Sequence, residues 1–360
     1  MIQSSVSQSN AGMRKRSGIL RAETINMSHG SGGKAMRDLI DDVFLGAFEN
    51  VELDVLEDQA RIDLSQLTSL GNRLALTTDS YVVDPIFFRG GDIGKLAVCG
   101  TVNDLAVGGA KPLYLTCSVI IEEGLSVSDL RRIVESMRVA AVEAGVQIVT
   151  GDTKVVERGA CDKIFINTAG VGVISSSVNV SAAGAKPGDL VLINGFIGDH
   201  GAAIVGARKD LAIENEIDSD CAPLNDLIVA VLAVCPEIHC MRDATRGGIA
   251  SVLNEFAISS KVLIKIKETA IPLRDEVRGM CEILGLDPLY LANEGKVVVV
   301  VPREHADAVL ATMKNDKYGQ ESAIIGEVFA EPEETVILQT VFGGERIVDM
   351  LVGDQLPRIC

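Results

Sequence analysis

Tryptophan is missing from the chain and aromatic residues make up only 4% of it, so no core here is built mainly from stacked rings. Close packing must come from Val, Ile, Leu and Ala. Apolar types reach 47% of the 360 residues, enough to fill two domain cores. No run approaches the roughly 18 uncharged apolar residues that a membrane-spanning helix needs, which excludes a membrane partner of that kind. Cations are scarce as well: 33 Lys and Arg face 50 Asp and Glu, for a net charge of −17. Without an extended basic face to neutralise phosphates, a nucleic-acid partner is excluded. The one basic cluster, Met13-Arg14-Lys15-Arg16, lies in a Ser-rich stretch with no apolar segment. It does not read as a secretory signal, and residues 1–24 are expected to form a flexible extension. Eight cysteines occur without a Cys-x-x-Cys pair, mostly inside apolar runs. That usage suits reduced thiols in a cytoplasmic protein better than a disulfide framework. Cys235-Pro-Glu-Ile-His-Cys240 has poor spacing for zinc and no evident fourth ligand.

Glycine is plentiful at 35 residues, which implies many tight turns or close approaches of backbone to ligand. The stretch Gly90 to Pro112 is the organising one. Asp92 can cap a helix of mostly small residues that a neighbouring backbone could approach closely. Lys95 falls in the first turn, where the helix dipole disfavours a cation unless an anion sits opposite, and Asn103-Asp104 places oxygen-bearing side chains mid-helix. A phosphate near Lys95 and a metal near Asp104 would satisfy both. A surface salt bridge and a satisfied core carboxylate would also do so.

Before this helix, His29-Gly30-Ser31-Gly32-Gly33-Lys34 feeds an amphipathic helix carrying Met36, Leu39, Ile40, Val43 and Phe44. Such a turn can wrap phosphate oxygens with backbone N–H groups, although Ser28 and Ala35 break the Walker A pattern and a plain loop is the alternative. Asp58 lies in Glu57-Asp-Gln-Ala-Arg61, and Asp79 lies at the end of a strand opening at Arg73. The segment 113–121 reads as a strand, and Ser126, Asp129 and Gly145 bound a helix. A further strand, Gln147 to Asp152, ends on a carboxylate, followed by Thr153 and Lys154. One such acid is ordinarily a turn residue or a cap. Asp58, Asp79, Asp104 and Asp152 together, with a nearby Lys and a glycine-rich loop, point to Mg²⁺ held against a nucleoside triphosphate. A polar junction at 175–188 separates residues 25–182, the nucleotide and metal domain, from an α/β domain over 183–348. In the latter, Asp243 stands at a helix entrance and Glu294 precedes the apolar strand 297–301. Residues 349–360 form a semi-rigid, mobile arm whose Cys360 can carry a thiol between a partner and the chain's own nucleotide site.

Taken together, His29-Gly-Ser-Gly-Gly, Glu57-Asp-Gln-Ala-Arg, Thr78-Asp-Ser-Tyr-Val-Val-Asp-Pro, Asn103-Asp, Val149-Thr-Gly-Asp-Thr-Lys, Arg242-Asp-Ala-Thr-Arg-Gly-Gly, Ala292-Asn-Glu-Gly-Lys and the terminal Pro-Arg-Ile-Cys resemble the hydrogenase-maturation carbamoyl dehydratases, HypE, of the wider aminoimidazole ribonucleotide synthetase superfamily. The resemblance covers Asn26 to Cys360. The acidic motifs are shared in kind by selenophosphate synthases and thiamine-monophosphate kinases, whereas the terminal Cys motif is specific. The extra N-terminal stretch is the departure.

The resemblance implies an α/β, two-domain subunit in a homodimer whose N-terminal sheets pair across the dimer, with ATP and Mg²⁺ between domains. Gly30, Gly32, Gly33, Lys95, Asn103, Thr153 and Asp243 are the expected nucleotide contacts, and Asp58, Asp79, Asp104 and Asp152 the expected metal ligands. It implies that a carbamoyltransferase, HypF, loads Cys360, that the carbamoyl group is dehydrated to a protein thiocyanate, and that its cyanide passes to iron on a HypC–HypD complex. Lys154 and Glu294 are the candidates for deprotonation, in either order, a structural ion pair being the alternative. A small-molecule kinase or synthetase would not need Cys360, and a non-catalytic scaffold would not need the carboxylates.

Overall fold

The computed structural model describes residues 19–55, 59–208, 215–351, 353, 356 and 358–360. Asp58 lies outside the described residues.

The first unit is a four-stranded mixed sheet in the order Arg73–Tyr81, Ile164–Ile174, Ala110–Glu122, Gln147–Val156. The first three run antiparallel to their neighbours and the last pair is parallel. One face carries the helices Ile93–Val107 and Val127–Ala144. The expected caps are in place: Asp92 accepts from the N–H groups of Gly94 and Lys95, Ser126 accepts from that of Asp129, and Gly145 closes its helix at φ 67°. Small residues in Ile93–Val107 have the expected purpose. A Cβ at Gly94 would lie 2.4 Å from the Ile133 carbonyl oxygen, and one at Gly100 would lie 2.3 Å from the Tyr81 hydroxyl.

The opposite face of this sheet has no covering layer from the described residues, and Leu74, Leu76 and Ile120 stand on it 56%, 74% and 41% exposed. Asp152 does not end its strand. Pairing of Ile120–Glu122 with Lys154–Val156 prolongs the ladder to Val156, so Asp152 and Lys154 are both inside it. Their shared face follows from the period of two, since buried Thr153 points the other way.

The second unit is a seven-stranded sheet ordered Glu345–Ile347, Thr335–Gln339, Leu263–Lys267, Ala323–Phe329, Leu190–Ile193, Val297–Val301, Cys240–Asp243. The five valines of Val297–Val301 are all fully buried because both faces are covered. Val297, Val299 and Val301 meet helices Asn225–Val234 and Ala306–Asn315, while Val298 and Val300 meet Gly248–Ser260.

Two expectations about the ends change. Residues 20–24 belong to the first unit rather than to a flexible extension: the Leu20 N–H donates to Asp42 at 2.7 Å, and Thr24 bridges to Ser126. Burying Leu20 and Ile25 repays the order imposed on this segment. At the other end, residues 358–360 are seated between the two units rather than extended into solvent.

Candidate active site between the two units

The chain end lies alongside the residues that follow the first strand. The N–H groups of Val82 and Asp84 donate to an α-carboxylate oxygen of Cys360 and to the Arg358 carbonyl at 3.3 and 3.1 Å. From the second unit, buried His200 meets the Ile359 carbonyl at 2.7 Å through Nε2. Arg246 donates from Nε to the Cys360 sulfur at 3.2 Å and from a terminal nitrogen to a Cys360 α-carboxylate oxygen at 3.3 Å. Cys360 is 8% exposed, and burial, with Glu294 adding to it, pushes its thiol up to about 12. Beside it is a cavity of about 470 Å³ lined by Arg246, Gly247, Ser251, Tyr290 and the tail itself.

Glu294 is 3% exposed and one of its carboxyl oxygens has no hydrogen-bond partner. Burial raises its pKa well above the carboxylate range, and Cys221, Asp220, Asp243 and Asp79 add to the rise. The loop holding it is anchored by Asp220, which accepts from the N–H groups of Glu294 and Gly295 and pairs with Lys296 at 3.0 Å. Asp104 comes from the helix Ile93–Val107 and accepts from Thr77 at 2.9 Å. Its pKa is raised, first by burial and also by Asp79. Asp243, at the end of its strand, is raised to about 7 by burial, by Asp104 and, less, by Asp79. Asp79, Asp104, Asp243, Glu294 and Cys360 are thus gathered within one another's electrostatic influence, with Arg246 as the cation facing the thiol.

Other expected residues are elsewhere. Asp152 and Lys154 pair at 2.7 Å on the uncovered face of the first sheet, the face opposite Asp104. The four-acid grouping is therefore not assembled in one chain, and among the described residues no three His, Cys, Asp or Glu side chains form a ready metal cage. Asn103 has a structural engagement the sequence did not show: its amide donates to the Ala222 carbonyl at 3.0 Å and accepts from the Leu224 N–H at 2.8 Å, tying the two units together. Lys95 donates to the Gly90 carbonyl at the rim of a polar depression shared with Lys296 and Tyr318, away from the thiol. Gly30 packs on the sheet edge, where a Cβ would lie 2.8 Å from the Val155 nitrogen, whereas Gly32 and Gly33 are open. Thr153 is buried and its N–H donates to Asp152. No zinc cluster forms at Cys235 to Cys240, where His239 instead meets Asp189 at 2.7 Å.

Sequence reasoning missed Arg246, His200, Asp220 and Lys296 as site residues. Arg246 was within a quoted motif, and its place just before Gly247-Gly248 was the available signal. Gly248 has φ 57° and its Cβ would meet the Leu289 carbonyl at 2.4 Å, so this turn can only be built on glycine. His200 carried no local signal.

Known proteins match the chain along most of its length. Residues 57–174 match the AIR synthase related protein N-terminal domain and 186–339 the C-terminal domain. Carbamoyl dehydratase HypE of Rhodobacter capsulatus is 56% identical over 341 residues, covering 95% of this chain and 99% of that protein. A crystal structure of the hydrogenase maturation protein HypE in complex with ATP superposes with a TM-score of 0.88 at 49% identity, covering 93% of this chain and 99% of the other. A HypE chain from a HypE–HypF complex gives 0.75 at 52% identity, covering 87% and 99%. Matched over nearly its whole length to relatives about half identical or more, the chain belongs to the HypE family of carbamoyl dehydratases.

Proposed function

We propose that the chain uses ATP to dehydrate an S-carbamoyl group carried on its own Cys360, leaving a protein thiocyanate as the source of cyanide for hydrogenase iron. The observation that carries this reading is the Cys360 sulfur accepting from Arg246 within the electrostatic reach of buried Glu294, one of whose carboxyl oxygens has no hydrogen-bond partner. An amide loses water only if its oxygen becomes a leaving group and both N–H protons are taken. Phosphoryl transfer from ATP supplies the first. Glu294 is placed for the second. Burial raises its pKa, and positive charge from Arg246 works the other way, favouring the ionised form that can accept a proton. Exclusion of water by the docked tail protects the thiocyanate.

Mg²⁺ fits the acids that are gathered, since it takes one or two carboxylates plus phosphate oxygens rather than a full protein cage. Asp79 and Asp104 would hold it, neutralising phosphate charge, and the Asp104 and Asp243 carboxyls are raised first by burial and further by neighbouring acids, against a partial offset from Arg242. Gly32 and Gly33 leave open space beside the turn in which phosphate oxygens could approach its backbone, where the Gly32 N–H now meets the Met36 sulfur at 3.2 Å.

The remaining ligands argue for a homodimer. Arg73–Tyr81 and Gln147–Val156 are the two edges of the first sheet, and they carry Asp79 and Asp152–Lys154 respectively. Joining two copies around the exposed Leu74, Leu76 and Ile120 brings Asp152 and Lys154 of one toward Asp79 of the other, completing the metal set and adding a second proton acceptor. The division proposed is 25–182 for nucleotide, metal and dimer contacts, 183–348 for the α/β unit, and the tail beyond, with residues 20–24 joined to the first unit. Loading by HypF and delivery to HypC–HypD require the tail to leave its seat, and the reduced thiols suit a cytoplasmic setting.

Mass spectrometry of the C-terminal peptide after incubation with HypF, carbamoyl phosphate and ATP tests the proposal. The expected product is modification of Cys360 alone, converted to thiocyanate, and lost in Cys360→Ala. Modification of another cysteine, or undiminished cyanide formation by Cys360→Ala, overturns it in favour of a small-molecule kinase.

A further inference from the structure

The peptide groups of Glu294 are held by a segment that lies in neither sheet. The Glu294 N–H donates to Asp220 Oδ1 at 3.0 Å, its carbonyl accepts from the Ala222 N–H at 3.4 Å, and the Gly295 N–H reaches Asp220 Oδ2 at 3.2 Å. The approach is so close that a Cβ at Gly295 would lie 1.9 Å from the Asp220 carbonyl oxygen. Both Asp220 oxygens accept because the group stays ionised: burial acts to raise its pKa, but Lys296, the Glu294 N–H and His200 outweigh that and bring it below the usual value. On the other side Glu294 follows Asn293, which bonds to Ala244, Leu291 and Gly198 within the second unit.

Residues 219–224 are themselves fastened to the first unit. The Ser219 N–H donates to the Arg89 carbonyl at 2.9 Å, and buried Asn103 takes the Ala222 carbonyl and the Leu224 N–H. Cys99, about one helical turn before Asn103, shares a buried cluster with Cys221. Successive side chains on a helix point about 100° apart, so Asp104 turns to Thr77 of the first sheet while Asn103 turns to the second unit. A shift of the helix Ile93–Val107 thus reaches Asp104 directly and Glu294 through Ala222 and Asp220.

We propose that residues 219–224 form a strut between the units, in which Asn103 and Asp220 are positioning residues that set Glu294 relative to Asp104. The strut rests on the reading of Glu294 as proton acceptor and deepens it, by naming what fixes that acceptor against the helix carrying Asp104. Each residue acts through the backbone of Glu294 rather than on the reacting atoms.

Hydrogen exchange of the full chain, read by mass spectrometry on peptides spanning residues 294–296, tests the link. Asn103→Ala removes two bonds to the strut and touches neither amide, yet exchange there should rise about tenfold, with the strand Thr335–Gln339 unchanged. Asp220→Asn, which keeps one acceptor oxygen, is carried through the same measurements with the same expectation, so either variant can decide. Single-turnover dehydration by the carbamoyl-loaded chain tests the consequence. Asn103→Ala should slow it about tenfold while ATP affinity stays within about threefold. Placed in Glu294→Gln, the same substitution should slow it by less than about twofold more, because its effect passes through that carboxyl. A general weakening of the fold would instead add in both backgrounds. Exchange equal to native in either variant, or the full tenfold loss on top of Glu294→Gln, overturns the strut. Dehydration at the native rate by Glu294→Gln counts against the proton-acceptor reading, whichever way the exchange comes out.

Discussion

Glu294 is buried with an unpartnered carboxyl oxygen, whereas Lys154 stands in solvent with both of its close contacts on the oxygens of Asp152. Resemblance assigns the two residues to one pair of proton transfers, yet one chain places them on different units, Lys154 on the face of its sheet opposite Asp104. The buried group is poised by its surroundings, and burial with four acidic or thiol neighbours raises its pKa. The exposed pair gains little from its ion bond, since water screens it. The contrast separates a buried carboxyl raised by its own subunit from an ion pair left on an uncovered face, and the proposed dimer would cover the second.

The largest effect should come from the buried member. Glu294→Gln keeps shape and removes the proton acceptor, so single-turnover dehydration should fall by about a thousandfold with ATP affinity kept within about tenfold by calorimetry. A normal rate would move the proton transfer elsewhere and dissolve the contrast.

The contrast is sharpened by mixing subunits. Lys154→Ala and Glu294→Gln are each expected to be inactive as homodimers. If Lys154 serves the partner's Glu294, random exchange of the two restores about a quarter of native sites, because half the dimers are mixed and one site of each is intact. If both residues act within one chain, no activity returns.

Smaller effects should follow at the acids. Asp104→Asn should weaken Mg-ATP binding about tenfold or more, and Asp152→Asn should do the same only in the dimer. Calorimetry at concentrations above and below dimer dissociation separates the two.

The smallest concerns pH. Asp243 has its carboxyl raised from 3.8 to about 7, so the folded chain holds a proton that the unfolded chain has released across that interval. Its contribution is present below the unfolded value and is lost as pH rises through about 7, so ligand-free stability should decline over that range. Asp243→Asn should flatten the decline. Because the residue still meets some solvent, the gain at pH 8 is about 1 kcal/mol, a few degrees in a thermal melt.

Local chemistry made much of this protein legible from its residues. The Asp92 and Ser126 caps, the Gly145 stop and the strand Val297–Val301 are each specified within a few neighbours, by hydrogen-bonding side chains, permitted φ or an unbroken apolar run. The acidic motifs raised the expectation of phosphate and metal chemistry for the same reason, since residue type and position at element ends are local facts. What residues face, and what they touch at long range, could not be read this way. Asn103 looked like a ligand until its amide was found bonded to residues about 120 positions away. Asp152 looked like a strand end until pairing with Ile120–Glu122 carried the strand past it, setting it on the uncovered face. His200 and Arg246 meet the tail 159 and 114 residues further on. Which acids share a site, and where Cys360 comes to rest, are decided by packing between units, because contacts of that separation exist only once both cores have formed.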